Sequence, residues 1–347
     1  MTARGSAPGR FAVVNRGRLG EVRRLMSLPT SGVLGPARLD GPSFDLEVPP
    51  GGYAWWYVDA LSDDGAEGLT IIGFVGSVFS PYYAWSGRAD PANHCAVNVA
   101  LYNRRGGRWA MTERPRGQVQ RSLDEIRVGR SALRWDGDGL TIDVDEQAFP
   151  LPSRVTGQVR LRPEVSTQHR VPLDPGGEHV WWPIAPRSRV EVVFSHPSLK
   201  WSGTGYFDTN WGASPLEDAF VEWSWSRAPL EEGAAVLYDV TRREGGPLSM
   251  ALRFDAAGAV EPFDPPPWYQ LPAGAIWRVP RATRAEGTPR VSRTLEDTPF
   301  YTRSVLETRL LGRATEAVHE SLCLRRFSTD WVKFLLMFRM PRARGAG

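Results

Sequence analysis

Gly203-Thr-Gly-Tyr-Phe-Asp-Thr-Asn-Trp-Gly212 is the stretch that decides the fold. It predicts a β-strand that carries Tyr206 and Asp208 on one face, because side chains two residues apart on a strand point the same way. A carboxylic acid in such aromatic surroundings has a raised pKa and can stay protonated near neutral pH. Asp208 is therefore a candidate proton donor to an uncharged substrate. The alternative is that it only caps a turn before Gly212.

The rest of the chain has short apolar runs of β-branched and aromatic residues, separated by clusters of Gly, Pro and Asp. This pattern is typical of an all-β protein. We predict strands near 43–48, 53–61, 69–78, 94–103, 107–113, 119–127, 131–135, 139–145, 154–162, 188–195, 202–209, 219–226, 234–242, 248–254, 275–279, 290–296, 302–309 and 316–324. Short helices are expected at 216–219 and 330–338.

Many short strands at regular spacing indicate antiparallel sandwiches or barrels, and each half of the chain has enough of them for one small barrel. We predict two tandem domains, over residues 1–195 and 196–347. Because 203–212 then lies near the junction, and small-molecule sites are common at such junctions, we expect the active site there.

The composition describes a globular protein of 347 residues, with 41% hydrophobic and 23% charged residues. Its 14 tryptophans exceed the need of a core and indicate an apolar or π-rich ligand, a sugar or a membrane interface. The sequence has no P-loop, no GxGxxG after a strand, no HExxH and no GxSxG. Its five histidines lack metal-ligand spacing, so we expect no cofactor and no metal.

Basic residues are concentrated at the two ends of the chain, including Arg4 and Arg10 near the start and Arg325, Arg326 and Lys333 near the end. Two basic ends suit an anionic membrane surface, and no nucleic-acid-binding motif appears. Solvated ends without a partner are the alternative.

The segment Trp331-Val-Lys-Phe-Leu-Leu-Met-Phe-Arg-Met340 is apolar and aromatic with basic flanks, as interfacial segments are. A strand or helix that closes the core is the alternative.

The N-terminus lacks an apolar signal core, and no run approaches the ~18 apolar residues of a membrane span. Cys95 and Cys323 form no disulfide framework. We expect a protein on the cytoplasmic side, peripherally associated with the membrane.

The segment His179-Val-Trp181 repeats the format of Tyr206-Phe-Asp208, with two functional side chains on one strand face. His179 can orient an acid by hydrogen bonding or deprotonate water. Trp181 can stabilise a cation through its π-face by ~0.5–2 kcal/mol. The alternative is that His179 is a core histidine with its hydrogen bonds made, packed beside Trp181 in the core.

The run Gly51-Gly-Tyr-Ala-Trp-Trp-Tyr-Val-Asp-Ala-Leu-Ser-Asp-Asp-Gly65 has aromatic residues on both faces of its predicted strand. Such a strand is buried on both faces or lines a cavity. We predict that Trp55 and Tyr57, together with Trp201 and Trp211 near the candidate acid, bind the substrate.

These patterns resemble the acyclic carotenoid 1,2-hydratases, also called hydroxyneurosporene synthases. The resemblance spans residues 45–342 and is carried by 51–65, 74–87 (FVGSVFSPYYAWSG), 109–114 (WAMTER), 201–212 (WSGTGYFDTNWG) and 327–342 (FSTDWVKFLLMFRMPR). The family is similar to lipocalin-like proteins of two domains that include cofactor-free pericyclases. This similarity implies that the two predicted β domains are lipocalin-like.

The resemblance implies addition of water across the terminal C1–C2 double bond of neurosporene, lycopene or a related acyclic carotene. The product is a tertiary 1-hydroxy carotenoid on the route to spheroidene or spirilloxanthin in purple photosynthetic bacteria. Such chemistry requires no redox cofactor or metal. The family's proposed acid corresponds to Asp208, with Tyr206 beside it, and its His-x-Trp element to His179 and Trp181.

In the implied mechanism, protonated Asp208 adds a proton to C2 and leaves a tertiary cation at C1, which Trp181 and Tyr206 stabilise. Water attacks C1, and His179 or the Asp208 carboxylate accepts its proton.

Two other classes of function stay open. One is a different cofactor-free enzyme on this scaffold, such as a cyclase, isomerase or pericyclase; the other is a non-catalytic lipophile carrier, which needs no protonated Asp208.

Overall fold

The computed structural model describes residues 16–27, 41–104 and 106–344. Its strands are β1 (Tyr53–Ser62), β2 (Gly68–Val75), β3 (Cys95–Tyr102), β4 (Arg108–Met111), β5 (Val119–Arg121), β6 (Glu125–Val128), β7 (Ser131–Trp135), β8 (Leu140–Ala148), β9 (Ser153–Val165), β10 (Val171–Pro172), β11 (His179–His196), β12 (Ser198–Gly212), β13 (Phe220–Pro229), β14 (Ala234–Arg242), β15 (Leu248–Phe254), β16 (Val260–Pro262), β17 (Trp268–Leu271), β18 (Arg281–Arg284), β19 (Arg290–Asp297), β20 (Tyr301–Leu310) and β21 (Arg313–Cys323). The helices are α1 (Arg16–Ser27), α2 (Pro81–Trp85), α3 (Leu216–Ala219), α4 (Leu324–Phe327) and α5 (Asp330–Met337). The all-β, antiparallel class is confirmed.

Eight strands of the first sheet close into a ring. Their hydrogen bonding runs through β11, β12, β1, β2, β3, β4 and β8 to β9, which pairs back onto β11. Side chains from alternate positions fill the interior of this small barrel, among them Trp56, Val58, Phe207 and Trp211. The barrel interior is therefore a packed core.

The second sheet has the order β16-β15-β14-β13-β21-β20-β19, with the ribbon β17–β18 beside it. A second core joins this sheet to the outer face of the barrel, where Tyr57 and Tyr206 pack with Trp225. Strand β1 thus has aromatic residues on both faces because its inner face fills the barrel and its outer face meets the second sheet. This arrangement confirms that β1 is buried on both faces.

The chain changes from the first sheet to the second after Gly212, at helix α3. The predicted boundary between 195 and 196 falls inside the β11–β12 hairpin, where Ser195 pairs with Ser198. Strand β12 therefore belongs to the first sheet, which corrects its assignment to the second half. Turn residues alone do not tell a tight hairpin from a linker between sheets. The division into two domains stays a prediction.

Three predicted strands are wrong. Residues 119–127 form two antiparallel strands, β5 and β6, instead of one. Residues 43–48 are irregular, but Phe44 and Leu46 are buried in the barrel core, and the Arg121 guanidinium donates to their backbone carbonyls. Apolar residues alternate in this segment because Phe44 and Leu46 enter the barrel core, although the segment does not join the sheet. Residues 275–279 form a turn in which the Arg278 N–H donates to the Gly274 carbonyl. The two predicted short helices are confirmed as α3 and α5.

Strand β12 passes β1 so closely at Gly203 that an added Cβ would lie 1.9 Å from the Leu61 carbonyl oxygen. Because a backbone atom in a sheet cannot easily move aside, we expect Gly203→Ala to lower the free energy of unfolding by about 1–3 kcal/mol. Gly117→Ala is the matched control, since its added Cβ would have no atom within 4 Å. Chemical denaturation measures both variants, and a Gly203→Ala variant as stable as the control would contradict this packing.

Candidate active site

A cavity of about 790 Å³ lies between the outer face of the barrel and the second sheet, close to helix α5. Its volume is within the usual range of small-molecule sites. Residues of β1, β2, β3 and β12 line one side, and residues of β13, β14, β20 and β21 line the other. Most of the large lining side chains are aromatic: Trp55, Tyr57, Phe74, Phe79, Tyr102, Trp109, Trp181, Trp223, Trp225, Tyr238, Trp277, Phe300, Tyr301 and Phe338.

Asp208 projects from β12 and lines this cavity. Its Oδ2 accepts hydrogen bonds from the Tyr206 hydroxyl at 2.7 Å and from the Trp181 indole N–H at 2.9 Å. Within the described part of the chain, its buried Oδ1 has no hydrogen-bond partner. Since Oδ2 already accepts two hydrogen bonds, a proton on this carboxyl group belongs on Oδ1.

Burial raises the pKa of Asp208 to about 8. The hydrogen bonds from Tyr206 and Trp181 favour the carboxylate and oppose this rise, whereas the charges of Glu320 and Asp59 add to it. The carboxyl group is therefore mostly protonated at pH 7. The structure thus gives Asp208 the protonation state that a general acid requires.

Three of the four predicted catalytic residues meet at this point. Trp181 lies on β11 and Tyr206 on β12, and both donate to Asp208. Trp181 also packs edge-on against Tyr238 of the second sheet, with ring centroids 5.5 Å apart. The sequence predicted a role for the π-face of Trp181. It did not indicate that the indole N–H is directed at the carboxyl group.

His179 lies apart from this group. Its Nδ1 is 3.0 Å from the Tyr53 hydroxyl and its Nε2 is 3.1 Å from Ser214 Oγ. Burial lowers the pKa of His179, so the imidazole is neutral at pH 7. The Tyr53 ring stacks on Trp55, with centroids 4.9 Å apart. His179 therefore supports the cavity wall through Tyr53, and the structure does not place it to take a proton from water beside Asp208.

The four predicted substrate-binding residues divide into two pairs. Trp55 and Tyr57 line the cavity. Trp211 instead lies in the barrel core, and Trp201 packs against that core from its partly buried position. Both occupy odd-numbered positions of β12, on the face opposite to Asp208, which corrects their assignment to the substrate side. The period of two along the strand was the signal that could have shown this.

Sequence reasoning missed a cluster of buried charges beside the cavity. Asp59 accepts hydrogen bonds from Arg227 at 2.5 Å and from Arg303 at 2.7 Å. Arg303 also forms an ion pair with Glu320, which lines the cavity. The only sequence signal was Asp59, which shares a strand face with Tyr57.

Among the described residues, no group of three His, Cys, Asp or Glu side chains is arranged to hold a metal.

The raised pKa of Asp208 makes the stability of the fold depend on pH. The folded state binds the proton more tightly than the unfolded state, whose aspartates have a pKa of about 3.9. Stability is therefore lost as the pH rises from about 4 through about 8. We expect Asp208→Asn to gain stability relative to the wild type across this range, by at most about 1.4 kcal/mol per pH unit. Denaturation at pH 5 to 9 measures the difference, and a difference independent of pH would contradict the raised pKa.

Solved structures of distant sequence share this fold. An AttH protein of Nitrosomonas europaea aligns with a TM-score of 0.58 and 16% identity, covering 84% of this chain and 98% of that one. Kievitone hydratase of Nectria haematococca aligns with a TM-score of 0.51 and 10% identity, covering 84% and 93%. At these identities the likeness concerns the fold alone, and it supports the lipocalin-like architecture.

Proteins of higher sequence identity identify the family. The family model described as carotenoid hydratase CrtC matches residues 71–346. The acyclic carotenoid 1,2-hydratase of Thiocapsa roseopersicina is 56% identical over 321 residues, which are 91% of this chain and 79% of that protein. The enzyme of the same name from Rubrivivax gelatinosus is 50% identical over 309 residues, 87% and 76% of the two chains. The chain therefore belongs to the acyclic carotenoid 1,2-hydratase family of hydro-lyases.

Proposed function

We propose that this protein adds water across the terminal C1–C2 double bond of an acyclic carotene such as neurosporene or lycopene, with Asp208 as the acid. The observation that carries the proposal is a buried carboxyl group in an aromatic cavity, whose Oδ1 has no hydrogen-bond partner among the described residues and whose pKa burial raises to about 8. An isolated alkene has no charge to recognise, so an aromatic cavity that holds a buried acid suits it.

The first step transfers the proton from Asp208 Oδ1 to C2 and leaves a tertiary cation at C1. The hydrogen bonds from Tyr206 and Trp181 to Oδ2 stabilise the carboxylate as its charge develops. Rings that line the cavity, such as Trp225 and Tyr238, can stabilise the cation through their π-electrons. One water molecule then attacks C1, and the closely packed aromatic walls exclude further water. The product is a 1-hydroxy carotenoid.

Replacing the acid tests this mechanism. In vesicles that contain lycopene or neurosporene, we expect Asp208→Asn to lower the rate of hydration by about 10² to 10⁴-fold, the usual contribution of a general acid. The wild-type rate should fall as the pH rises above about 8, because the carboxylate cannot donate a proton. Product mass after the reaction is the measurement. Asp63→Asn is the matched control, since the Asp63 side chain is exposed and pairs with Arg189.

Each competing function has its own outcome in that assay. Equal hydration by the wild type and Asp208→Asn would place the acid elsewhere. A product of unchanged mass would favour an isomerase, cyclase or pericyclase, and binding of the carotene without any product would favour a carrier.

Helix α5 suggests how so long a polyene reaches the cavity. Val332 packs into the core, whereas the side chains of Trp331, Phe334 and Phe338 are about half exposed. Trp277 stacks on Trp331 with ring centroids 6.0 Å apart. We call Trp277, Trp331, Phe334, Leu335 and Phe338 the aromatic patch. The helix thus packs on the core by one side and presents an apolar surface on the other.

The aromatic patch continues into the cavity, because Trp277, Leu335 and Phe338 also line it. Basic residues accompany it in the same segment: Arg325, Arg326, Lys333 and Arg339. We propose that the patch rests on an anionic membrane surface on the cytoplasmic side and that one end of the carotene enters there. Among the described residues, no helix is long and apolar enough to cross a bilayer. Arg4 and Arg10, part of the predicted basic N-terminus, lie outside the described residues.

Charged substitutions in the aromatic patch test the membrane contact. Each buried Trp or Phe side chain contributes about 1.5–3 kcal/mol, so the double variant Trp331→Glu, Phe334→Glu should bind vesicles with anionic lipid at least about tenfold more weakly. Neither residue lines the cavity, so turnover of detergent-solubilised carotene should persist. Val193→Glu, which changes an exposed apolar residue on the barrel, is the matched control. Co-sedimentation measures binding, and equal binding by both variants would exclude the patch as the contact.

A further inference from the structure

We infer that Glu320 is the base that accepts the proton of the attacking water, across the cavity from the acid. The inference rests on the proposed hydration. It assigns to a residue of the second sheet the step that the sequence attributed to His179 or to the Asp208 carboxylate.

Glu320 projects from β21 and lines the same cavity as Asp208. Its Oε1 accepts a hydrogen bond from the Tyr57 hydroxyl at 2.7 Å and pairs with the Arg303 guanidinium. No hydrogen bond from the described residues reaches its Oε2, and the side chain is 12% exposed. One oxygen is thus held in place while the other remains for a water molecule.

Glu320 belongs to a network of buried ion pairs. Glu320 and Asp59 are two buried acids, and Arg227 and Arg303 are the two buried bases that pair with them. The buried Arg303 guanidinium pairs with both Asp59 and Glu320, so it keeps Asp59 as an ion-pair partner when Glu320 accepts a proton. Asp208 forms no ion pair with any described residue, and burial keeps it protonated. Four carboxyl groups line the cavity, those of Asp208, Glu296, Asp297 and Glu320. Asp208 accepts hydrogen bonds from neutral donors and Glu320 pairs with an arginine, a difference that suits one to act as the acid and the other as the base.

Tyr57 contacts the positions of both Asp208 and Glu320. It is the cross-strand partner of Asp208 where β1 pairs with β12, and its hydroxyl donates to Glu320 across the interface between the sheets. A double bond placed beside the Tyr57 ring can present C2 to Asp208 and C1 to a water molecule on Glu320. His179 has no comparable position, since its ring nitrogens face Tyr53 and Ser214.

The step balances without any further reactant. The O–H bond of Asp208 breaks as the C2–H bond forms, and the π electrons leave a cation at C1. The water oxygen then bonds to C1, and one of its protons passes to Glu320 Oε2. The result is a tertiary alcohol, with Asp208 ionised and Glu320 protonated. Proton exchange with cavity water restores both groups before the next turnover.

Deuterium exchange distinguishes the role of Asp208 from the role of Glu320. Glu320→Gln keeps the shape of the side chain but cannot accept a proton. In D₂O we expect its hydration to fall by about 10² to 10⁴-fold. The cation still forms in this variant. When rotation about the C2–C3 bond lets the original C2 hydrogen, rather than the delivered deuteron, return to the Asp208 carboxylate, the recovered carotene gains deuterium at C2. Asp208→Asn should lose both hydration and exchange. Mass spectrometry of product and recovered substrate reads both quantities.

The outcomes distinguish this inference from the proposed function. Hydration by Glu320→Gln at the wild-type rate, or loss of both hydration and exchange in the folded variant, would overturn the role of Glu320. A wild type that neither hydrates nor exchanges would overturn the proposed hydration itself.

The Glu320→Gln substitution removes one ion-pair partner of Arg303 and can prevent folding. A second variant tests the inference in that case. Glu320→Asp retains the charge but shortens the reach, so its ratio of hydration to exchange should fall below that of the wild type. An unchanged ratio would contradict the inference.

Discussion

The ion pairs between Asp59 of β1 and Arg227 and Arg303 of the second sheet are the interaction on which the rest of the structure depends. All three side chains are buried. Removing one partner of such a pair leaves an uncompensated buried charge and typically costs about 3–5 kcal/mol. These pairs therefore hold the second sheet against the outer face of the barrel, which creates the cavity and removes Asp208 from water.

Two of the carboxyl groups that line the cavity, those of Asp208 and Glu320, have hydrogen-bond partners of different charge. Glu320 lies within reach of Arg303, whereas the hydrogen bonds of Asp208 come from the neutral groups of Tyr206 and Trp181. A neutral donor stabilises a carboxylate less than a cation does. Burial can then keep Asp208 protonated, whereas Glu320 pairs with the Arg303 guanidinium. In the proposed mechanism the acid has only neutral hydrogen-bond donors, whereas the base pairs with an arginine.

The sequence was sufficient for the elements that depend on local pattern. The period of two in β1 and β12 predicted both strands and placed Tyr206 and Asp208 on one face, as the structure has them. The same period, applied to Trp201 and Trp211, would have put them on the barrel side. Local pattern could not reveal the contacts between sheets, because the ion pair of Asp59 with Arg303 joins residues that lie 244 positions apart. For the same reason the sequence suggested His179 or the Asp208 carboxylate as the group that accepts the proton of water, and it gave no sign of Glu320.

The central claim is that Asp208 is protonated at neutral pH. Infrared difference spectra of the wild type minus Asp208→Asn, recorded from pH 5 to 10, test it directly, since a protonated carboxyl group has its own C=O stretching band. The structure predicts a band that is present at pH 7 and disappears with a midpoint near pH 8. A midpoint near 4, the ordinary value of an aspartate, would contradict the account.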